Sequence, residues 1–139
     1  MIEYDVALPN GIEIPCRDVC LDQDFIKVYD SYKQKAVYGE MLGFLSYHDM
    51  GIEVTVGERR LFTGSHTPIL TDTGWAAFHT YRNADVGKLF GLRCATIDGI
   101  PVEVSPLRQP LRIYAPLVSV HSAFYTRGFI LAHGGHDGN

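Results

Sequence analysis

Apolar residues gather along this chain in short segments, not in long runs or in a helical stripe. β-Branched and aromatic residues dominate those segments, and such residues suit the pleated, half-buried surface of a sheet. The segments cover residues 6–8, 12–14, 25–29, 36–47, 52–56, 60–63, 69–70, 75–78, 93–97, 102–104, 112–120 and 128–133. Turn signals stand between them: Pro9-Asn10-Gly11, Asp49-Met50-Gly51, Asp72-Thr73-Gly74 and Asp98-Gly99. Asn, Asp and Gly reach positive φ at little cost, so these positions are expected to reverse the chain. One stretch, 83–89, predicts at most a single helical turn. Strands interrupted by a turn about every ten residues predict an all-β fold. There is no internal repeat and no low-complexity linker. One domain over residues 1–133 is expected, followed by a flexible Gly-rich tail at 134–139.

Composition narrows the function classes. Apolar residues make up 46% and charged residues 20% of 139, an ordinary globular balance that argues against disorder. The formal net charge of −4 provides no electrostatic footprint for nucleic acid or an anionic membrane, so neither is expected as a partner. A spanning helix needs about 20 mostly apolar residues, and the runs at 115–120 and 129–132 fall far short. The first five residues carry Glu3 and Asp5 and no base, unlike a secretory leader. Cys16, Cys20 and Cys94 are odd in number, which favours a reducing, intracellular setting. Cys16 and Cys20 lack a second Cys or His pair, so they are expected to be small thiols and not zinc ligands. His121, His133, His136 and Asp137 have no metal-site spacing. Neither a phosphate-binding glycine loop nor a Gly-x-Ser-x-Gly elbow is present. No cofactor and no metal is expected.

Three segments, in order, resemble the Hedgehog/intein (Hint) family. The first is Val6-Ala7-Leu8-Pro9-Asn10-Gly11, followed by Ile14, Val19 and Phe25-Ile26-Lys27-Val28-Tyr29-Asp30. The second is Leu61-Phe62-Thr63-Gly64-Ser65-His66-Thr67-Pro68-Ile69-Leu70-Thr71-Asp72-Thr73-Gly74-Trp75, similar to the family's Thr-x-x-His block. The third is Ile113-Tyr114-Ala115-Pro116-Leu117 with His121, Phe124-Tyr125 and Gly128-Phe129-Ile130-Leu131-Ala132-His133. The resemblance implies a Hint-like, pseudo-twofold horseshoe of short strands. It also implies self-processing, in which a Cys or Ser at the first residue attacks the preceding carbonyl while Thr and His polarise the bond. Thr63 and His66 match that pair, and His133 matches a terminal histidine.

Both reacting ends depart from the family pattern. The nucleophile position falls at, or just before, Met1, and residues 1–5 contain no Cys, Ser or Thr. A thioether has no proton to lose. Gly134 follows His133 where splicing inteins carry a cyclising Asn, and Ala115 replaces an acid that often follows the family's Tyr. Splicing is therefore expected to be lost, with Thr63, His66 and His133 vestigial. The plain readings are that His66 is a half-buried histidine holding a turn before Pro68, that Thr63 satisfies a neighbouring backbone group, and that Trp75 anchors the core. Tyr29, Tyr32, Tyr38, Tyr47 and Tyr81 are either strand faces or an interface. The leading expectation is a non-splicing module with a structural or assembly role, such as a phage or viral structural protein, whose partners are other protein subunits. The competing expectation is residual self-cleavage or acyl transfer through Thr63, His66 and His133, with Cys16, Cys20 or Cys94 as nucleophile. A third is a peptide or small-molecule binder in the old cleft.

Overall fold

A computed structural model describes residues 1–78, 95–119 and 122–132. Thirteen strands and no α-helix occur among the described residues. They are β1 (Ile2–Glu3), β2 (Asp5–Ala7), β3 (Glu13–Pro15), β4 (Phe25–Asp30), β5 (Lys35–Glu40), β6 (Gly43–Val56) and β7 (Arg59–Gly64). After these come β8 (Ile69–Thr71), β9 (Gly74–Ala76), β10 (Thr96–Ile97), β11 (Ile100–Leu117), β12 (Ser122–Thr126) and β13 (Phe129–Leu131). One sheet runs β1-β11-β6-β7, with β10 on β11; a second runs β5-β4-β12-β13-β8-β9; β2 and β3 form a hairpin.

The two long strands organise the molecule. β6 and β11 pair antiparallel from Gly43–Leu117 to Val56–Val102. Their core-facing residues belong mostly to the larger core, and Tyr114 of β11 also packs against the smaller one. Val54, Val56, Leu61, Val102, Val104, Ile113, Phe124 and Phe129 belong to the larger core. Val6, Cys16, Val19, Ile26, Val28, Met41 and Val118 form the smaller one. Simple alternation fails where β6 passes between its halves: Gly51 and Ile52 are both buried. Opposite, β11 loses register between Pro106 and Pro110, and Arg108 takes φ +62°. Proline cannot donate to a ladder, so the break falls where donors are missing.

The all-β expectation is met, and several boundaries shift. The segment at 36–47 is two strands, because Met41 turns into the smaller core and breaks the pairing. Asp49-Met50-Gly51 is not a turn but the middle of β6. Asp49 accepts the Met50 N–H at 2.8 Å, and Gly51 is there for space. A Cβ on Gly51 would sit 2.7 Å from Leu111 Cδ1. Segments 102–104 and 112–120 belong largely to the single strand β11. β1 adds to the expected segments, β12 carries the Phe124-Tyr125 of the third resemblance segment, and the β12–β13 reversal at Arg127-Gly128 (φ +49° and +82°) lacks an Asn or Asp. Trp75 is half-buried, edge-on to Tyr29, and not a central core anchor. The predicted helical turn at 83–89 and the tail at 134–139 lie outside the described residues, as does Tyr81.

Other turn signals act as expected. Asp98 and Gly99 take φ +54° and +76° in the β10–β11 hairpin. The Asp72 carboxylate accepts the Gly99 and Asp98 N–H groups, each at 2.9 Å, and the Thr96 hydroxyl at 2.7 Å. It thereby fastens one hairpin to another. The Gly99 N–H, the Thr96 hydroxyl and the Asp98 N–H hold Asp72 below the ordinary carboxylate value of 3.8. Its stabilising contribution is fully present above that value and is lost as pH falls through the lowered one. Asp72→Asn should therefore flatten the acid limb of a stability–pH curve measured by urea denaturation, while lowering stability at neutral pH.

Candidate active site

The second resemblance segment forms the end of β7 and the loop into β8. That loop is fastened on three sides. Ser65 N–H donates to Met50 O (2.8 Å), Phe78 N–H donates to Ser65 O (3.1 Å), and Ala132 N–H donates to Pro68 O (3.0 Å). Within the loop, Thr67 N–H donates to Gly64 O at 3.1 Å.

Thr63 ends up wholly buried. Its Oγ1 lies 2.5 Å from the Tyr4 phenol oxygen, so its partner is a side chain and not the expected backbone group. Tyr4 follows β1; its N–H donates to Tyr114 O at 3.1 Å, and its ring tilts against Phe124 at 5.3 Å. The same phenol oxygen accepts the Gly64 N–H at 3.4 Å and lies 3.5 Å from Thr67 Oγ1. Tyr47 joins this group through Thr67 and Tyr4. Burial raises the pKa of both phenols, so each stays neutral at ordinary pH. The result is a cross-linked set of neutral hydroxyls. Tyr4 was within reach of sequence reasoning, since Ile2, Tyr4 and Val6 alternate with Glu3 and Asp5 in a strand-like period of two.

His66 faces outward. Its side chain is 61% exposed, in place of the half-buried ring expected, while that of its partner Asp49 is 8% exposed. Nδ1 lies 2.7 Å from Asp49 Oδ1, and the His66 backbone N–H donates to Asp49 Oδ2 at 2.9 Å. Ser65 Oγ donates to Asp49 Oδ1 at 3.2 Å and lies 3.3 Å from Nδ1. Gly64 makes this approach feasible: a Cβ there would fall 2.5 Å from Asp49 Oδ2 and 2.8 Å from Ile113 Cδ1. Asp49 was not singled out from the sequence, because Asp followed by Gly two residues on reads as a turn.

Met1 precedes β1 and is exposed, whereas Ile2 and Tyr4 are buried. Its Sδ is 3.9 Å from an Arg17 nitrogen. That guanidinium stacks over the Tyr114 ring at 3.8 Å and binds both Glu3 carboxylate oxygens at 3.0 Å. Arg17 in turn holds Glu3 below the usual carboxylate range. Beside Met1 opens a groove of about 420 Å³, lined among others by Ile2, Leu61, Phe62, Leu111 and Arg127; neither Thr63 nor His66 lines it. Cys16 is buried in the smaller core, where desolvation pushes its thiol to about 12. Cys20 is exposed, and its bond to Asp22 also raises it. Both therefore stay protonated at neutral pH, which is unfavourable for a nucleophile. His133, the third expected site residue, lies outside the described residues, as do Cys94, His121, His136 and Asp137. Among the described residues no group of three or more His, Cys, Asp or Glu side chains could hold a metal ion.

This architecture, with the Thr-x-x-His loop beside the first strand, is the Hint fold of inteins. The DnaX mini intein from Spirulina platensis superposes with a TM-score of 0.67 at 12% identity, covering 94% of this chain and 96% of that one. A bacterial intein-like domain from Clostridium thermocellum gives 0.64 at 12% identity, covering 96% and 99%. The gp41-1 intein gives 0.56 at 14% identity over 95% and 94%. No protein-family model and no curated protein matches the sequence.

The phenol at Tyr4 supports both the loop and Thr63. Tyr4→Phe keeps the packing on Phe124 but strands the Thr63 hydroxyl and the Gly64 N–H. A loss of about 1–3 kcal/mol is expected from leaving buried groups unpaired, read as a lower midpoint in chemical denaturation.

Proposed function

We propose that this domain uses the Hint scaffold without protein splicing, as a structural or assembly module. The observation that carries the reading is how the family positions are occupied. Thr63 is sealed under Tyr4, the His66 ring is bound to Asp49, and residue 1 offers only a thioether beside Arg17. The Met1 thioether is itself no starting point for an acyl shift, because it has no proton to release and forms no ester-type intermediate. Ala115, which is buried, stands where an acid often lies in the family. A fold can outlive its chemistry and serve through its shape.

An assembly role finds support on the second sheet. Among the described residues β5 is its edge strand, with Tyr38 56% exposed, and Phe25 on neighbouring β4 is 50% exposed. An open edge with exposed aromatics is a template for pairing with another protein chain. The partners in this reading are protein subunits, and the setting is reducing and intracellular. A phage or viral structural protein is one such use.

A second reading, residual self-cleavage, is favoured by one observation: the carboxylate–imidazole pair of Asp49 and His66. The discriminating experiment adds peptide extensions at both ends and follows intact mass with and without added thiol. Unchanged mass is expected. Cleavage that disappears in His66→Ala would overturn the non-processing reading in favour of the second. Light scattering on the same protein should show assembly, and a strict monomer at all concentrations counts against the assembly role.

A further inference from the structure

The pairing of Asp49 with His66 has a chemical consequence that neither the fold nor the Thr-x-x-His resemblance contains. A carboxylate is only an acceptor, so the ring nitrogen 2.7 Å from Asp49 Oδ1 must be the one that carries the proton. Asp49 is also held in place. It accepts the Met50 and His66 backbone N–H groups and the Ser65 hydroxyl, and Gly64 leaves it room. Three of these four features come from the loop that carries His66, so the ring and the carboxylate are set by one local structure.

We infer that Asp49 is a positioning residue that fixes the tautomer of His66, with the proton at Nδ1 and the lone pair at Nε2. A neutral histidine in water favours no such arrangement on its own; the hydrogen bond at one nitrogen decides the other's role. The assignment stands whether or not any peptide bond is processed, since the tautomer belongs to the resting protein.

The test is long-range ¹H–¹⁵N correlation on the full chain labelled at histidine, with His66→Gln identifying the signal. In the wild type, His66 should show a protonated Nδ1 and an unprotonated Nε2. In Asp49→Asn the carboxamide can donate to Nδ1, and the pattern should invert to Nε2–H. Ser65→Ala, which keeps the carboxylate, should leave it unchanged. A wild-type His66 with its proton on Nε2, or a folded Asp49→Asn protein with an unaltered pattern, overturns the inference. If Asp49→Asn does not fold, the wild-type spectrum with Ser65→Ala decides alone. Cleavage in the extended protein bears on the proposed function and not on this result.

Discussion

The hydrogen bond between Tyr4 and Thr63 joins what the sheet order separates. In the path β1-β11-β6-β7, the first and last strands stand at opposite ends. Yet the phenol just after β1 reaches the hydroxyl near the end of β7 at 2.5 Å. A flat sheet of four strands could not bring those atoms together, because neighbouring strands lie almost 5 Å apart. The sheet must therefore curl enough to bring the side chain after β1 over the end of β7. The twist inherent in β-strands provides part of that curvature, and the irregularity between Pro106 and Pro110 provides a local bend. Position of the loop, burial of Thr63 and the placement of Met1 all follow from this closure.

Much of the architecture was legible because period-two alternation survives in most segments. Val102 and Val104 are buried between exposed Pro101, Glu103 and Ser105, as a one-sided strand requires. Legibility ends where the alternation of a strand slips. At Gly51 and Ile52 the buried face changes, and a glycine chosen for close packing looks the same in sequence as one chosen for a turn. The site divides the same way. Thr63 and His66 were reached through the resemblance of their block. Asp49 was invisible, since its meaning lies in a partner across the β6–β7 pairing and not in its neighbours.

The site also separates two kinds of polar group. Around Tyr4 the groups are neutral, buried and mutually satisfied, and their desolvation is offset by hydrogen bonds. Around His66 one ionisable partner is shielded and the other faces solvent. The first arrangement stabilises a shape. The second keeps a titratable ring in one orientation, which shape alone does not require. Both stand within one loop, so the scaffold and its remaining chemistry share the same few backbone hydrogen bonds.

The parallel pairing of Ile2 with Ile113 imposes an order on biosynthesis. β1 has its sheet partner only after Ile113 has left the ribosome. Until then, β1 and the Tyr4 side chain have no docking place on β11. Contacts of such long sequence separation carry a high loop-closure cost, so the larger core forms late and as a unit. Between the emergence of β1 and that of Ile113 the nascent chain exposes open strand edges, a period in which crowding by identical chains or attendance by a chaperone bears on how much of it reaches the folded state.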